Sequence, residues 1–259
     1  QFQTMCSDGS GGVFIAWQDA RNTATTGIDV YAQHVLANGT IAPGWTANGV
    51  RVSSNLNDDT FPFVASDHAG GCVIAYGLFF VNRAFGSDYD MIASRLNAAG
   101  AIVWTSTIKS TAEYESPVGC NYIASRNDVV ILYQYRLVSA GGGNYDLKAS
   151  AVSVVNGAID SDFDVCTAAG DQYVGVSPLV PGPNDTWYAV WRDGRTSNYT
   201  VYARLFNGIT GAFSGSWPLG DGKPVVPDLY YHSTVRAVCD PSGALWTAIT
   251  TAGYTGTGD

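Results

Sequence analysis

A turn motif recurs along this chain at intervals of about 58 residues, and a repeat of that length limits the fold to architectures stacked from copies of one unit. The first copy runs Asp8-Gly9-Ser10-Gly11-Gly12, the apolar stretch Val13 to Trp17, then Asp29 to Val35, Asn38-Gly39 and Trp45. The same order returns from Asp67 through Tyr76, Asp90 to Leu96, Gly100 and Trp104. It returns again from Asn127 through Tyr133, Asp146 to Val152, Asn156-Gly157 and Phe163. A fourth copy passes through Asn184, Trp191, Val201 to Phe206, Gly211 and Trp217, and a fifth begins at Asp240.

Each copy supplies four short β segments. Strand A precedes the turn, at Phe2 to Ser7, Phe61 to Ser66, Pro117 to Tyr122, Pro178 to Pro181 and Thr234 to Val238. Strand B follows the turn and is almost continuously apolar, which predicts burial on both faces. Strand C alternates apolar and polar residues, as a half-exposed strand does. Strand D has the weakest pattern, as at Val50 to Ser53 and Ile108 to Ser110. Four antiparallel strands per repeat predict an all-β fold, a β-propeller of four-stranded blades, with four full blades and a partial fifth. The blades fall at 1–55, 56–112, 113–170, 171–228 and, in part, 229–259 of a single domain. A β-sandwich is the alternative, but its strands need not repeat a whole motif at a fixed interval. Because the fifth copy stops after strand B, its strands C and D are expected beyond Asp259.

The net charge of −9, from 22 acidic and 13 basic residues, opposes nucleic acid and anionic membrane surfaces. No apolar run reaches the roughly 18 residues of a transmembrane helix. Cys6, Cys72, Cys120, Cys166 and Cys239 show no paired metal-ligand spacing, so they are expected as small buried hydrophobes rather than zinc ligands. The three histidines, His34, His68 and His232, come from different copies.

Blade topology sends the D-to-A and B-to-C loops to one face. Those loops carry Asp58, Asp59, Glu113, Tyr114, Glu115, Asp171, Tyr173, Tyr230, Tyr231 and His232, which predicts carboxylates and tyrosines around one mouth of the central channel. Such residues serve three uses. They are ordinary turn formers. Tyrosines are also flat platforms for sugar or peptide, with carboxylates accepting hydrogen bonds or holding Ca²⁺. Two carboxylates facing a scissile bond, such as Asp59 and Glu115, suffice for glycoside hydrolysis. Trp17-x-Asp19-x-Arg21 and Trp191-x-Asp193-x-Arg195 occupy equivalent places and are expected to pin the loop after strand B. The sequons at Asn38, Asn184 and Asn198 fall in turns or loops.

The Asp-Gly-Ser-Gly-Gly turn, Ala16-Trp17-Gln18-Asp19-x-Arg21, Asp29-Val30-Tyr31-Ala32-Gln33 and the later Asn-Gly and Trp together resemble a β-propeller repeat of large secreted bacterial surface proteins, type-nine secretion cargo among them. The third copy is the loosest, lacking the Gly-Gly turn and the Trp-x-Asp-x-Arg loop. The resemblance implies a secreted or cell-surface module for binding, adhesion or display, with a glycan or protein partner, no required cofactor and no catalytic residues. A glycan-acting hydrolase and a purely structural module of a surface assembly are the alternative expectations.

Overall fold

The structure is a computed structural model that describes residues 2–83, 86–139, 142–195, 199–213, 217, 221–226 and 231–252. It is a β-propeller segment of four four-stranded antiparallel sheets and one two-stranded sheet, each following chain order. Blade 1 comprises β1 (Gln3–Ser7), β2 (Val13–Asp19), β3 (Asp29–Val35) and β4 (Val50–Arg51), with the single-turn α1 (Thr23–Thr26) between β2 and β3. Blade 2 comprises β5 (Asp59–Ser66), β6 (Cys72–Arg83), β7 (Gly86–Leu96) and β8 (Ile102–Lys109). Blade 3 comprises β9 (Tyr114–Ile123), β10 (Asp128–Arg136), β11 (Asp146–Ser153) and β12 (Ile159–Cys166). Blade 4 comprises β13 (Gln172–Pro181), β14 (Thr186–Asp193), β15 (Thr200–Asn207) and β16 (Lys223–Pro224), and blade 5 comprises β17 (Tyr231–Cys239) and β18 (Leu245–Ala252). Among the described residues no helix is long and apolar enough to cross a membrane.

The repeated turn is built by its aspartate. The Asp8 carboxylate accepts from the backbone N–H groups of Ser10 and Gly12, Asp67 accepts from Ala69 and Gly71, and Asp240 from Ser242 and Ala244. One oxygen thus fixes a tight reversal that closes the A–B hairpin.

The core is divided into four layers, each between successive blades. Phe14, Ala16 and Trp45 of blade 1 pack with Val64, Ile74 and Tyr76 of blade 2. Equivalent layers join blades 2 and 3 around Val73, Met91 and Ile131, blades 3 and 4 around Leu132, Leu147 and Trp191, and blades 4 and 5 around Val190, Val201 and Val235. A sheet covered on both sides has no polar face to spare, so Cys72 to Tyr76 of β6, Val129 to Tyr133 of β10 and Trp187 to Trp191 of β14 are apolar and buried. The expectation of two buried faces fails for the strands at the ends of the stack. In β2 burial alternates, and in β18 Trp246 is 63% exposed while Leu245 and Ile249 pack on blade 4.

Two expected strand limits also change. Strand D of blade 2 spans all of β8 and carries Trp104, because this outer strand is exposed on one face and shows little apolar pattern. Strand A of blade 4 begins at Gln172, and a bulge between Val174 and Leu179 interrupts its register. The innermost strands β1, β5, β9, β13 and β17 surround a channel of ≈ 770 Å³.

Candidate functional site

Of the carboxylates expected in D-to-A loops, Asp58, Glu113 and Asp171 lie there and accept from backbone donors of the preceding blade or of their own, whereas Asp59 and Glu115 lie in strand A, in β5 and β9, and take side-chain donors from the loop before it. Asp58 accepts from the Ile28 N–H at 2.7 Å, and Asp171 accepts from the equivalent Tyr145 N–H at 2.9 Å. Glu113 accepts from the Val138 N–H, the Ser139 N–H and the Ser139 hydroxyl. Asp59 is fully buried and takes two 2.9 Å contacts from the Asn55 amide; burial first, then Asp29 and Asp58, pushes its carboxyl up to about 6. Glu115 takes the Thr111 hydroxyl, and burial raises its carboxyl too, against that hydrogen bond. These five carboxylates tie loops together, and none of them lines the channel. Tyr230, and the side chains of Tyr231 and His232, lie outside the described residues. Among the described residues no three His, Cys, Asp or Glu side chains converge as a metal site.

The two Trp-x-Asp-x-Arg loops are near copies in atomic detail. The Trp17 indole donates to Asp19 at 2.9 Å, the Arg21 guanidinium binds both Asp19 oxygens, and the same guanidinium lies 4.2 Å over Tyr31. The Trp191 indole donates to Asp193 at 2.7 Å, Arg195 binds both Asp193 oxygens and lies 4.2 Å over Tyr202. Arg21 goes on to the Asn48 carbonyl and Arg195 to the Asp221 carbonyl, so each pins the segment entering strand D. That hydrogen bonding holds Asp19 well below the usual carboxylate range.

A different set of residues forms an aromatic arc that reaches the channel. Seven rings follow one another across blades 1 to 4: Phe2 to Phe61 at 5.6 Å, Phe61 to Tyr89 at 5.9 Å, and Tyr89 to Tyr114 at 5.2 Å. The series continues from Tyr114 to Tyr145 at 5.2 Å, Tyr145 to Tyr173 at 6.0 Å, and Tyr173 to Tyr199 at 5.7 Å. Every one of the seven is half-buried. Phe2, Phe61 and Tyr114 also line the channel, together with Phe63, Gln134, Asn121 and Arg236. Arg136 lies 4.9 Å over Tyr145 and Arg192 lies 5.7 Å over Tyr173. Burial pushes the Tyr114 and Tyr173 hydroxyls up to about 12, so both rings stay neutral.

Backbone strain marks the same arc. Among the described residues six non-glycines have positive φ, and His68, Asn127, Asn184 and Asp185 are turn residues of types that tolerate it. The other two are Phe61 and Tyr199, both at φ 50°, and both are members of the arc. A bulky side chain held there costs about 1–3 kcal/mol and persists only where its surroundings fix it.

Tyr114 and Tyr173 were visible as candidates in the sequence, whereas Phe2, Phe61, Tyr89, Tyr145 and Tyr199 were not. A signal existed for three of them. The repeat position equivalent to Ile28 of the first copy, just before Asp29, is Tyr89, Tyr145 and Tyr199 in the next three copies, although in blade 2 it falls inside β7.

No family model and no curated protein matches this chain. Solved structures share its fold. A protein of unknown function from Dyadobacter fermentans aligns with a TM-score of 0.60 at 10% identity, over 96% of this chain and 74% of that one. The α-L-arabinanase of Penicillium chrysogenum aligns with a TM-score of 0.53 at 13% identity, over 100% and 79%. The endo-arabinase of Bacteroides thetaiotaomicron aligns with a TM-score of 0.51 at 10% identity, over 95% and 87%.

Proposed function

We propose that this protein is a non-enzymatic carbohydrate-binding propeller module whose ligand lies on the aromatic arc at the channel mouth. The continuous run of seven half-buried rings from Phe2 to Tyr199 carries this reading. A sugar ring presents an apolar C–H face that stacks on an aromatic face, and its hydroxyls need polar groups beside that face. The tyrosine hydroxyls and the Gln134, Asn121 and Arg236 side chains of the channel supply them. Rings packed against one another at 5.2 to 6.0 Å are already ordered, so binding costs little side-chain entropy.

Hydrolysis requires two carboxylates facing the scissile bond. The described residues that line the channel include no Asp or Glu, which favours binding over cleavage. The arabinan-acting neighbours agree with a saccharide ligand. The setting we propose is extracytoplasmic, at the cell surface or released, as the repeat resemblance implies.

Affinity electrophoresis against a panel of neutral and acidic plant and algal polysaccharides tests this reading, with reducing-end release measured in parallel. Retardation without release, reduced in Tyr145→Ala and Tyr173→Ala, is the expected outcome. Release of reducing ends that Asp59→Asn or Glu115→Gln abolishes would establish the hydrolase instead.

A further inference from the structure

The aromatic arc and the channel beside it carry positive charge that the protein leaves unmatched. In a chain of 22 acidic and 13 basic residues, a cation without a carboxylate is the exception. Arg21, Arg51, Arg95, Lys109, Lys148 and Arg195 each hold one at 2.5 to 2.8 Å. Arg136 and Arg236 do not, and among the described residues neither makes a hydrogen bond or an ion pair.

Arg136 ends β10, two residues beyond the channel-lining Gln134 and so on the same face of the sheet. It pairs across the strands with Tyr114, and its guanidinium lies 4.9 Å over Tyr145, so it adjoins two consecutive rings of the arc. A cation–π contact fixes a guanidinium without using any of its N–H donors. The Arg136 Nε is buried without an acceptor, which leaves the two Nη groups of this half-buried side chain for a ligand. Its charge reaches the Tyr114 hydroxyl, which burial raises and the guanidinium opposes. Arg236 is exposed and is the one charged side chain among the described residues that line the channel. Counted back from the A–B turn, it holds the place in blade 5 that Thr4 holds in blade 1, two residues along strand A from Phe2, which is about 7 Å at the rise of a strand. The carboxylates of the flanking loops are engaged elsewhere. Asp171 accepts from the Tyr145 N–H and the Tyr173 hydroxyl, and Glu113 accepts from Val138 and Ser139.

We propose, resting on the saccharide reading, that the ligand of the arc is acidic: the carboxylate or sulfate of one unit bridges the two Nη groups of Arg136, and that of a unit nearer the channel pairs with Arg236. A guanidinium and an oxyanion form two parallel charge-assisted hydrogen bonds, each about twice as strong as a neutral one. Because Tyr145 already holds the Arg136 side chain, little rotamer freedom is lost when the anion arrives. A neutral sugar offers only hydroxyls and leaves both arginines without a counter-charge. The channel opposes no anion of its own, since its described lining includes no Asp or Glu. A protein of net charge −9 thus presents its unpaired cations where the ligand stands.

Affinity electrophoresis of the whole protein tests this with polygalacturonate against its carboxyl-reduced form, and dextran sulfate against dextran, so that each pair differs in charge alone. The protein is expected to bind one acidic polymer at least about tenfold more tightly than its neutral counterpart. A preference within the first pair identifies a carboxylate, and one within the second a sulfate ester. Arg136→Gln and Arg236→Gln are each expected to remove most of that preference, with an unchanged melting temperature showing that both variants fold. Arg126→Gln alters the net charge equally, at the turn between β9 and β10, and is expected to keep the preference. Equal affinity within both pairs overturns the acidic ligand and leaves a neutral saccharide site standing. A preference that survives Arg136→Gln and Arg236→Gln, or that Arg126→Gln reduces as much as they do, overturns it too. Retention of no polysaccharide, neutral or acidic, overturns the saccharide reading with it.

Discussion

Tyr114 of β9 and Tyr145 of the loop before β11 meet edge to face, with ring centroids 5.2 Å apart and planes at 82°. The Tyr145 backbone N–H is in turn held by Asp171 of blade 4, so a ring on one blade is placed by a carboxylate of the next. The arc is therefore a product of blade stacking. Tyr145→Ala removes the fifth of the seven rings while leaving that backbone hydrogen bond. An edge-to-face contact is worth about 0.5–1.5 kcal/mol beyond its buried area, and the exposed part of the ring contributes mainly to a ligand. We expect saccharide affinity to fall at least about tenfold, with a stability loss in urea below about 2 kcal/mol. Unchanged affinity by affinity electrophoresis would remove Tyr145 from the site.

Trp17 and Trp191 make the same hydrogen bonds but differ in cover. Trp191 is fully buried between blades 3 and 4, whereas Trp17 is half-buried on blade 1. Trp191→Ala leaves a closed cavity and is expected to cost about 3–5 kcal/mol in chemical denaturation. Trp17→Ala leaves a site open to water and is expected to cost roughly half as much. Equal losses would mean that the side of blade 1 carrying Trp17 is covered in solution.

The contrast between the repeat and the arc shows what sequence periodicity can reveal. The Asp8, Asp67 and Asp240 turns were legible because one carboxylate must serve two backbone donors within five residues, a local demand that each copy meets with the same residue types. The arc draws on unlike positions. Phe2 precedes strand A of blade 1, Tyr114 and Tyr173 come from strand A of blades 3 and 4, Phe61 from a bulge in strand A of blade 2, Tyr89 from within strand C of blade 2, and Tyr145 and Tyr199 from the residue before strand C. They meet only because the blades fan about an axis, which no single copy encodes. Asp58, Glu113 and Asp171 were read onto the correct loops, but loop placement does not say whether a carboxylate turns to the channel or to a neighbour's N–H.

The buried carboxyls predict an acid-side stability maximum. Asp59 is raised from 3.8 to about 6, and Asp128 likewise to about 6, in both cases by burial first. A group with a raised folded pKa binds its proton more tightly when folded, so its contribution is full below 3.8 and lost as pH rises through about 6. Asp240 is lowered to about 2 by its Ser242 and Trp246 hydrogen bonds, so its contribution is present above 3.8 and lost as pH falls through about 2. The melting temperature is therefore expected to rise from pH 8 to pH 5 and to fall again below pH 3. Asp59→Asn, which mimics the neutral carboxyl, should remove roughly 1 kcal/mol of the pH 8 to pH 5 gain. A pH profile indistinguishable from that of the parent protein would show that Asp59 is ionised in the fold.

The five cysteines are all free thiols, and burial raises each of them. Cys6 and Cys166 are pushed up to about 12, and Cys72 lies sealed in the layer between blades 1 and 2. The thiolate is the reactive species, so a thiol with pKa near 12 is ionised in only about one molecule in ten thousand at pH 8. The Arg195 guanidinium 3.5 Å from the Cys166 sulfur lowers that thiol but does not offset its burial and the nearby Asp193 and Asp221. In the native protein a thiol reagent is expected to react slowly, Cys239 being the least buried of the five in its surroundings. After denaturation without reductant all five should titrate. A count of three or one would mean that cysteines separated in the fold have paired, and would place a disulfide where the blades now hold small apolar side chains.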